Sequence, residues 1–396
     1  MSLSYLINQS SKFIWYSAHY IISFKYATPI KIDKSNPPPF YGKMPTGRKL
    51  FFEMMKLLNE ERKLINSKFY KIPKTELKDL INTAKGSFDF FLDLPKIDKR
   101  RTSGKKLFFE MMKLLNEERK LINSKFYKIP KTELKDLINT AKGSFDFFLD
   151  LPKIDKRRTS GKFSEVKTNK DLPKYFLRNF HYQTDGYLSE KSARLYEFQV
   201  ETLFSGCAAT MRRFSMIPLI KFIKDENLPR TKLLDIGTGT GDIIATYKLN
   251  TKNLEVTCSD LSEEYLNVAK EKLKKFSNIK YVNCKGEELP FDEKSYDIVT
   301  STYVFHEVPS AIRKKIFSEI SRVLRKGGIF ILTDSLQMDD NPILNPLLEF
   351  FPYSTHEPYY PKYIREDLAS VAKQSGLELF YSKNAYLSKS LAFKKI

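Results

Sequence analysis

A mostly parallel α/β sheet, covered by helices on both faces, is the fold class this sequence predicts, with an α-helical extension ahead of it. Two observations carry the expectation. The stretch LLDIGTGTGD (233–242) reads as a buried strand running straight into a glycine-rich turn. Downstream of it, strand-like apolar runs alternate with helical stretches, the pattern of a parallel sheet built from crossover units.

The elements follow in chain order. Leu233, Leu234 and Ile236 form the first strand, and Gly237, Gly239 and Gly241 form the turn. Without a Cβ, such a turn lets the backbone approach a ligand closely. Asp242 stands where it could N-cap the next helix. Strand, turn and helix together make the nucleotide-binding corner of a doubly wound sheet. A dinucleotide fingerprint, G-x-G-x-x-G, would need glycine where Asp242 stands. Here the glycines alternate, G-x-G-x-G, and an acid precedes them at Asp235. LEVTCSD (254–260) is the second strand and ends on Asp260; SEEYLNVAKEKLKKF (262–276) is a helix and IKYVNC (279–284) the third strand. Residues 286–309 hold a turn and the fourth strand, and RVLRKGGIFILTDS (322–335) a helix end, a basic-glycine turn and the fifth. ELFYSK (378–383) and SKSLAFKKI (388–396) read as a closing hairpin at the sheet edge.

In this order and spacing the chain resembles the class I S-adenosylmethionine-dependent methyltransferases of the type 11 group. The resemblance implies a seven-stranded, mostly parallel, Rossmann-like sheet and S-adenosyl-L-methionine as cofactor. It implies cofactor contacts from Asp235, Gly237, Thr238, Gly239, Gly241, Asp260, Leu261, Gly286, Glu287 and Thr302, with Asp260 accepting from both ribose hydroxyls. One position departs from the pattern. Many relatives carry an Asp that meets the adenine amino group where this chain has Lys285. Lysine has no acceptor, so either Glu287 supplies that contact or backbone and apolar groups hold the adenine.

The chain has 396 residues and a formal charge of +21. Residues 163–396 carry 34 Lys+Arg against 30 Asp+Glu, so +17 of the charge belongs to the first 162 residues. A basic groove for DNA is therefore not visible in the catalytic part, and no DNA partner is expected. Cys207, Cys258 and Cys284 have no C-x-x-C spacing and read as thiols of a reducing compartment. No metal is expected. Residues 1–48 form a leader and linker: Asp33 is the first acid, FIWYSAHYIISF (13–24) is an apolar run too short to span a membrane, and SNPPPFYGKMPTG (35–47) is a Pro/Gly linker. The leader reads either as a plastid or mitochondrial targeting segment, the absence of arginine weighing against the mitochondrion, or as a plain N-terminal tail of a cytoplasmic protein.

Residues 49–105 recur without a substitution as residues 106–162. Each copy holds two helical stretches separated by Pro73 (Pro130), the second ending on Gly86 (Gly143) in C-cap style. Two identical units do not make a solenoid, which needs more repeats and distinct ends. One docking surface can accept only one of two identical segments, so one copy is expected to be redundant. A chain lacking residues 106–162 is expected to fold cooperatively in a thermal melt; an unfolded product would refute the redundancy.

Residues 163–229 read as a cap on the catalytic domain of 230–396. FHYQTDGYLSEKSARLYEFQVE (180–201), with the later MRR and FHEVP, is similar to an uncharacterised methyltransferase family of cyanobacteria and plastid-bearing eukaryotes. The wider group includes ubiquinone and menaquinone C-methyltransferases, which implies a small, lipophilic or aromatic, quinone-like acceptor; peripheral membrane association would suit such a substrate. A second aromatic cluster at 347–368 offers Phe350, Phe351, Tyr353, Tyr359 and Tyr360 as an acceptor wall or as ordinary cover for the sheet. Histidine is the natural general base for a phenolic or carbon nucleophile. His19 lies in the leader and is set aside. His306 with Glu307 follows the fourth strand, His356 with Glu357 sits in the aromatic cluster, and His181 in the cap. Each is a candidate base or a plain structural residue; His181, Tyr303, Tyr359 and Tyr360 are acceptor-side candidates. Two other readings stay open: a non-catalytic scaffold of this fold, which Lys285 would favour, and an RNA methyltransferase guided by the basic N-terminus. Ser301-Thr302-Tyr303-Val304 contains no N/D-P-P-Y/F, the motif that amino-methylation of bases uses. Oligomeric state is not readable from the sequence.

Overall fold

The computed structural model describes residues 16, 117–118, 120–122, 124–128, 166, 168–183, 185–204, 207–251, 253–342 and 344–396. The leader, apart from Tyr16, and the first repeat copy lie outside the described residues, as does most of the second copy. After a 3-10 turn (Phe180–Tyr182) come helices α1 (Glu190–Leu203), α2 (Ala208–Arg213) and α3 (Met216–Glu226). The sheet domain then runs β1 (Thr231–Ile236), α4 (Asp242–Asn250), β2 (Leu254–Asp260), α5 (Glu263–Leu273), β3 (Ile279–Asn283), β4 (Tyr296–Thr302) and a second 3-10 turn (Phe305–Glu307). It closes with α6 (Ser310–Val323), β5 (Leu324–Ser335), α7 (Asn345–Ser354), α8 (Tyr360–Tyr363), α9 (Leu368–Gln374), β6 (Leu377–Ala385) and β7 (Ser388–Lys395).

The seven strands lie in the order β3-β2-β1-β4-β5-β7-β6. β1 to β5 pair in parallel, and β7 inserts antiparallel between β5 and β6. This is the mostly parallel, Rossmann-like sheet that the sequence predicts. Helices cover both faces, so the central strands carry unbroken apolar runs rather than alternation. Leu234, Val299 and Phe330 pack on one face with Phe317 and Ile320 of α6. Leu233, Ile298 and Ile329 pack on the other with α3, α4 and α5. The strand order reverses beside β1, which leaves a crevice at the carboxyl ends of β1, β2 and β4.

Two local expectations change. The basic-glycine stretch Lys326-Gly327-Gly328 lies within β5, and the β4–β5 register shifts between Tyr296 and Ile298 to accommodate it. Asp242 is the first residue of α4, not its cap; Gly241 holds the cap position at φ 79°, which a glycine tolerates. The Asp242 carboxylate instead accepts from Lys272 Nζ at 2.5 Å and from the Thr240 hydroxyl at 2.8 Å.

The described part of the second repeat copy packs on the sheet domain. Glu118 is fully buried and takes hydrogen bonds from Arg213, Thr210 and Tyr127. Asn250 and Lys128 exchange backbone–side-chain bonds, and Leu121, Ile122 and Phe126 lie against the α3–α4 core. Its sequence twin in the first copy contains the same Glu and Tyr as Glu61 and Tyr70. Among the described residues, no helix is long and apolar enough to cross a membrane.

Candidate cofactor and acceptor site

A cleft opens at the carboxyl edge of β1, β2 and β4. The non-atom space within its lining is about 810 Å³, the open solvent at its mouth included. One end is built on the glycine turn, whose glycines serve different purposes. A Cβ on Gly237 would stand 2.2 Å from Val304 Cγ2, so glycine here lets the β4 loop pack against the turn. A Cβ on Gly239, at φ +54°, would meet nothing within 4 Å; its backbone faces open space in the cleft. Gly241 lies against Leu273 and Ala269 of α5.

Asp260 closes this end. Its carboxylate accepts from Gly239 N at 2.7 Å and from Ser262 N at 2.8 Å. Burial pushes its carboxyl up to about 6 against the pull of those two N–H donors. Cys284, Gly286, Glu287, Leu261 and Thr302 also line the cleft. The Tyr175 hydroxyl donates to both oxygens of Glu287, at 2.7 and 2.8 Å. Lys285 turns away and meets Glu288 at 3.3 Å.

The other end is aromatic and carries one carboxylate. Phe176, Phe180, Tyr187, Tyr196, Tyr265 and Tyr303 contribute the rings, and Glu307 the charge. Ser189 and Ser262 cap α1 and α5 by accepting from Ser192 N and Tyr265 N, and Ser192 Oγ lies 3.1 Å from the Tyr265 hydroxyl. These bonds fix the cap segment over the cleft. The Tyr187 hydroxyl donates to Glu307 Oε1 at 2.5 Å. Tyr303, at φ +59°, stacks on Phe204 and its hydroxyl lies 2.8 Å from Ser388 Oγ. A left-handed tyrosine is strained backbone of the kind that concentrates at functional sites.

Residues 234–332 match the family described as "Methyltransferase domain". The ubiquinone/menaquinone biosynthesis C-methyltransferase UbiE of Campylobacter jejuni is 32% identical over 125 residues, which is 30% of this chain and 51% of that protein. The demethylmenaquinone methyltransferase of Staphylococcus aureus is 39% identical over 108 residues, 27% of this chain and 44% of that one. Over this stretch the chain is similar to methyltransferase domains. The chain spans about half the length of the curated relatives it matches. Among solved structures, a SAM-dependent methyltransferase from Aquifex aeolicus is similar at 19% identity, covering 46% of this chain and 93% of that one with a TM-score of 0.34.

The residues present fit the cofactor of such a domain. The open space in front of Gly239 is a cradle that any side chain there would fill, and Asp260 brings a half-buried carboxylate to its rim. Three expected contacts of the methyltransferase domain fall outside the cleft lining. Asp235 lies beneath the turn, where Thr300 Oγ1 donates to it at 2.5 Å and burial raises its carboxyl to about 7. Thr238 donates to Asp235 O, and Gly241 is occupied with α5. These three shape the turn rather than face the cleft.

The histidines also redistribute. His306 does not line the cleft; its Nδ1 donates to Asp334 Oδ1 at 2.6 Å. Burial alone would lower its pKa, but Asp334, Glu357 and Glu307 raise it to about 9. Its place outside the lining, with Nδ1 held by Asp334, sets it apart from the groups that face the cleft. His356 is likewise outside the lining, with its pKa lowered by burial and by Arg178. Tyr360 bonds Ser335 at 2.6 Å, and Tyr359 packs on Phe180 behind the cleft wall; neither lines it. His181, at φ +53°, sits beside Glu307 and Glu357. Of the proposed acid–base residues, Glu307 alone faces the cleft. Asp334 and Tyr187 escaped the sequence reading, and Glu357 entered it only as a neighbour of His356. An acid at the tip of β5, in LTDS, was the available signal for Asp334.

Proposed function

We propose that this protein transfers a methyl group from S-adenosyl-L-methionine to a small, lipophilic or aromatic, quinone-like acceptor. Glu307 carries the reading: a carboxylate among aromatic rings, in one cleft with the glycine turn and Asp260. In this reading Asp260 accepts from the ribose hydroxyls, the Gly239 backbone borders the methionine part, and Glu287 with Gly286 borders the adenine. The cofactor, when bound, supplies an electrophilic methyl on a sulfonium. The transfer is an in-line displacement, so the chain's main tasks are alignment and exclusion of water. Tyr187, Tyr196 and Phe176 supply the dry wall. Glu307, held by Tyr187, accepts a hydrogen bond from the acceptor hydroxyl and draws electron density toward the attacking atom. The relatives named for menaquinone and ubiquinone methylation support the acceptor class.

The test is incubation of the full-length chain with methyl-labelled cofactor and a panel of phenols and hydroquinones, with label counted in the organic phase. Label transferred to one acceptor class is the expected result. Tight cofactor binding without transfer to any of them would favour a scaffold role.

A further inference from the structure

Beside the acceptor end, three donor groups converge from segments far apart in sequence. His181 comes from the 3-10 turn ahead of α1, Glu307 from the turn after β4, and Glu357 from the stretch between α7 and α8. One donor atom of each lies within 4.8 Å of the others. His181 Nε2 is 3.1 Å from Glu357 Oε1 and 3.8 Å from Glu307 Oε1. Glu357 is 1% exposed, and neither of its oxygens takes a hydrogen bond. The other buried carboxylates at the sheet edge differ: Asp235 and Asp334 both accept bonds. A buried carboxylate without donors is costly unless a positive charge compensates it.

We propose that His181, Glu307 and Glu357 bind a divalent first-row cation of the Mn²⁺ or Zn²⁺ type. The donor set is one imidazole nitrogen and two carboxylate oxygens. Imidazole disfavours Mg²⁺ and Ca²⁺, which take oxygen ligands, and three protein ligands leave positions for water or substrate. The Tyr187 hydroxyl holds Glu307 as an outer-shell donor, the support that metal ligands ordinarily have. The left-handed backbone at His181 keeps the imidazole at the cluster. Glu307 belongs to both the cluster and the cleft wall, so the cation borders the acceptor. On the methyltransferase reading above, it would polarise an acceptor hydroxyl and favour its ionised form.

The test is Mn²⁺ titration of the chelator-stripped full-length chain, read from the electron paramagnetic resonance signal of free Mn²⁺, with Zn²⁺ as competitor. S-adenosylhomocysteine binding is measured on each sample. The expected result is about one Mn²⁺ per chain, displaced by Zn²⁺. Glu357→Gln and His181→Gln should each weaken it by more than about tenfold, the smaller effect of losing an outer-shell partner alone. Both variants should still bind S-adenosylhomocysteine, which shows that they are folded. No Mn²⁺ uptake by the parent chain overturns the site. Uptake that neither substitution weakens overturns it too. A folded chain that takes up Mn²⁺ but not S-adenosylhomocysteine would overturn the methyltransferase reading and leave the cation site standing.

Discussion

The two ends of the cleft are built in different ways. At the glycine turn, the working groups are backbone and strand tips within one strand–turn–helix unit, joined by Asp260 from the neighbouring strand. At the acceptor end they are side chains from three distant segments, brought together by the cap, the β4 turn and the α7–α8 stretch. The first end is fixed by sterics that only a few residues satisfy. The second is fixed by tertiary packing, and its chemistry can be exchanged without disturbing the turn. Substitutions at the two ends should therefore separate catalysis from cofactor binding.

The largest expected effect is on turnover at the acceptor end. Glu307→Gln should lower kcat by about 10²- to 10⁴-fold, the usual contribution of a positioned proton acceptor. Steady-state assays at saturating cofactor check this; a variant within about twofold of the parent would move the acceptor contact elsewhere.

A smaller effect is expected from pH at the turn end. Asp260 is raised to about 6, so its carboxylate gains a proton as pH falls through that value and loses an acceptor for the ribose. Cofactor affinity should weaken about tenfold per pH unit below 6. Calorimetry at pH 7 and pH 5 reads the change, and equal affinity at both would remove Asp260 from the contact. The same raised value has the opposite consequence for the free protein. A carboxyl whose folded pKa lies above its unfolded one contributes stability that is lost as pH rises through the folded value. The smallest effect is expected at Lys285, which turns from the cleft to the exposed Glu288. Lys285→Ala should change cofactor affinity by less than about twofold, since such surface pairs contribute little. A larger loss would give the lysine a role at the adenine edge.

The same contrast explains what the sequence made legible. β1, the glycine turn and Asp260 were readable because their requirements are local: apolar residues for a strand covered on both faces, and glycine where a Cβ would strike Val304 or fill the cleft. The closing hairpin was readable for the same reason. Asp242 misled because an acid at a helix start resembles a cap, while Gly241 in the left-handed region takes that position. The setting of His306 was not readable, because nothing local shows that Asp334, on the next strand, lies against its Nδ1. Glu307 was found by its position after β4, but its pairing with Tyr187 and its place beside His181 and Glu357 depend on how the cap folds back. Asp235 was placed on the right strand and in the wrong role, since its side chain points beneath the turn to Thr300.

The most direct test of this separation is a calorimetric titration of S-adenosylmethionine into the parent chain, Asp260→Ala and Glu307→Gln side by side. Loss of two charge-assisted hydrogen bonds should weaken Asp260→Ala by at least about 100-fold. Glu307→Gln should stay within about threefold of the parent. Equal weakening of both variants, or normal binding by Asp260→Ala, would contradict a cleft whose two ends work independently.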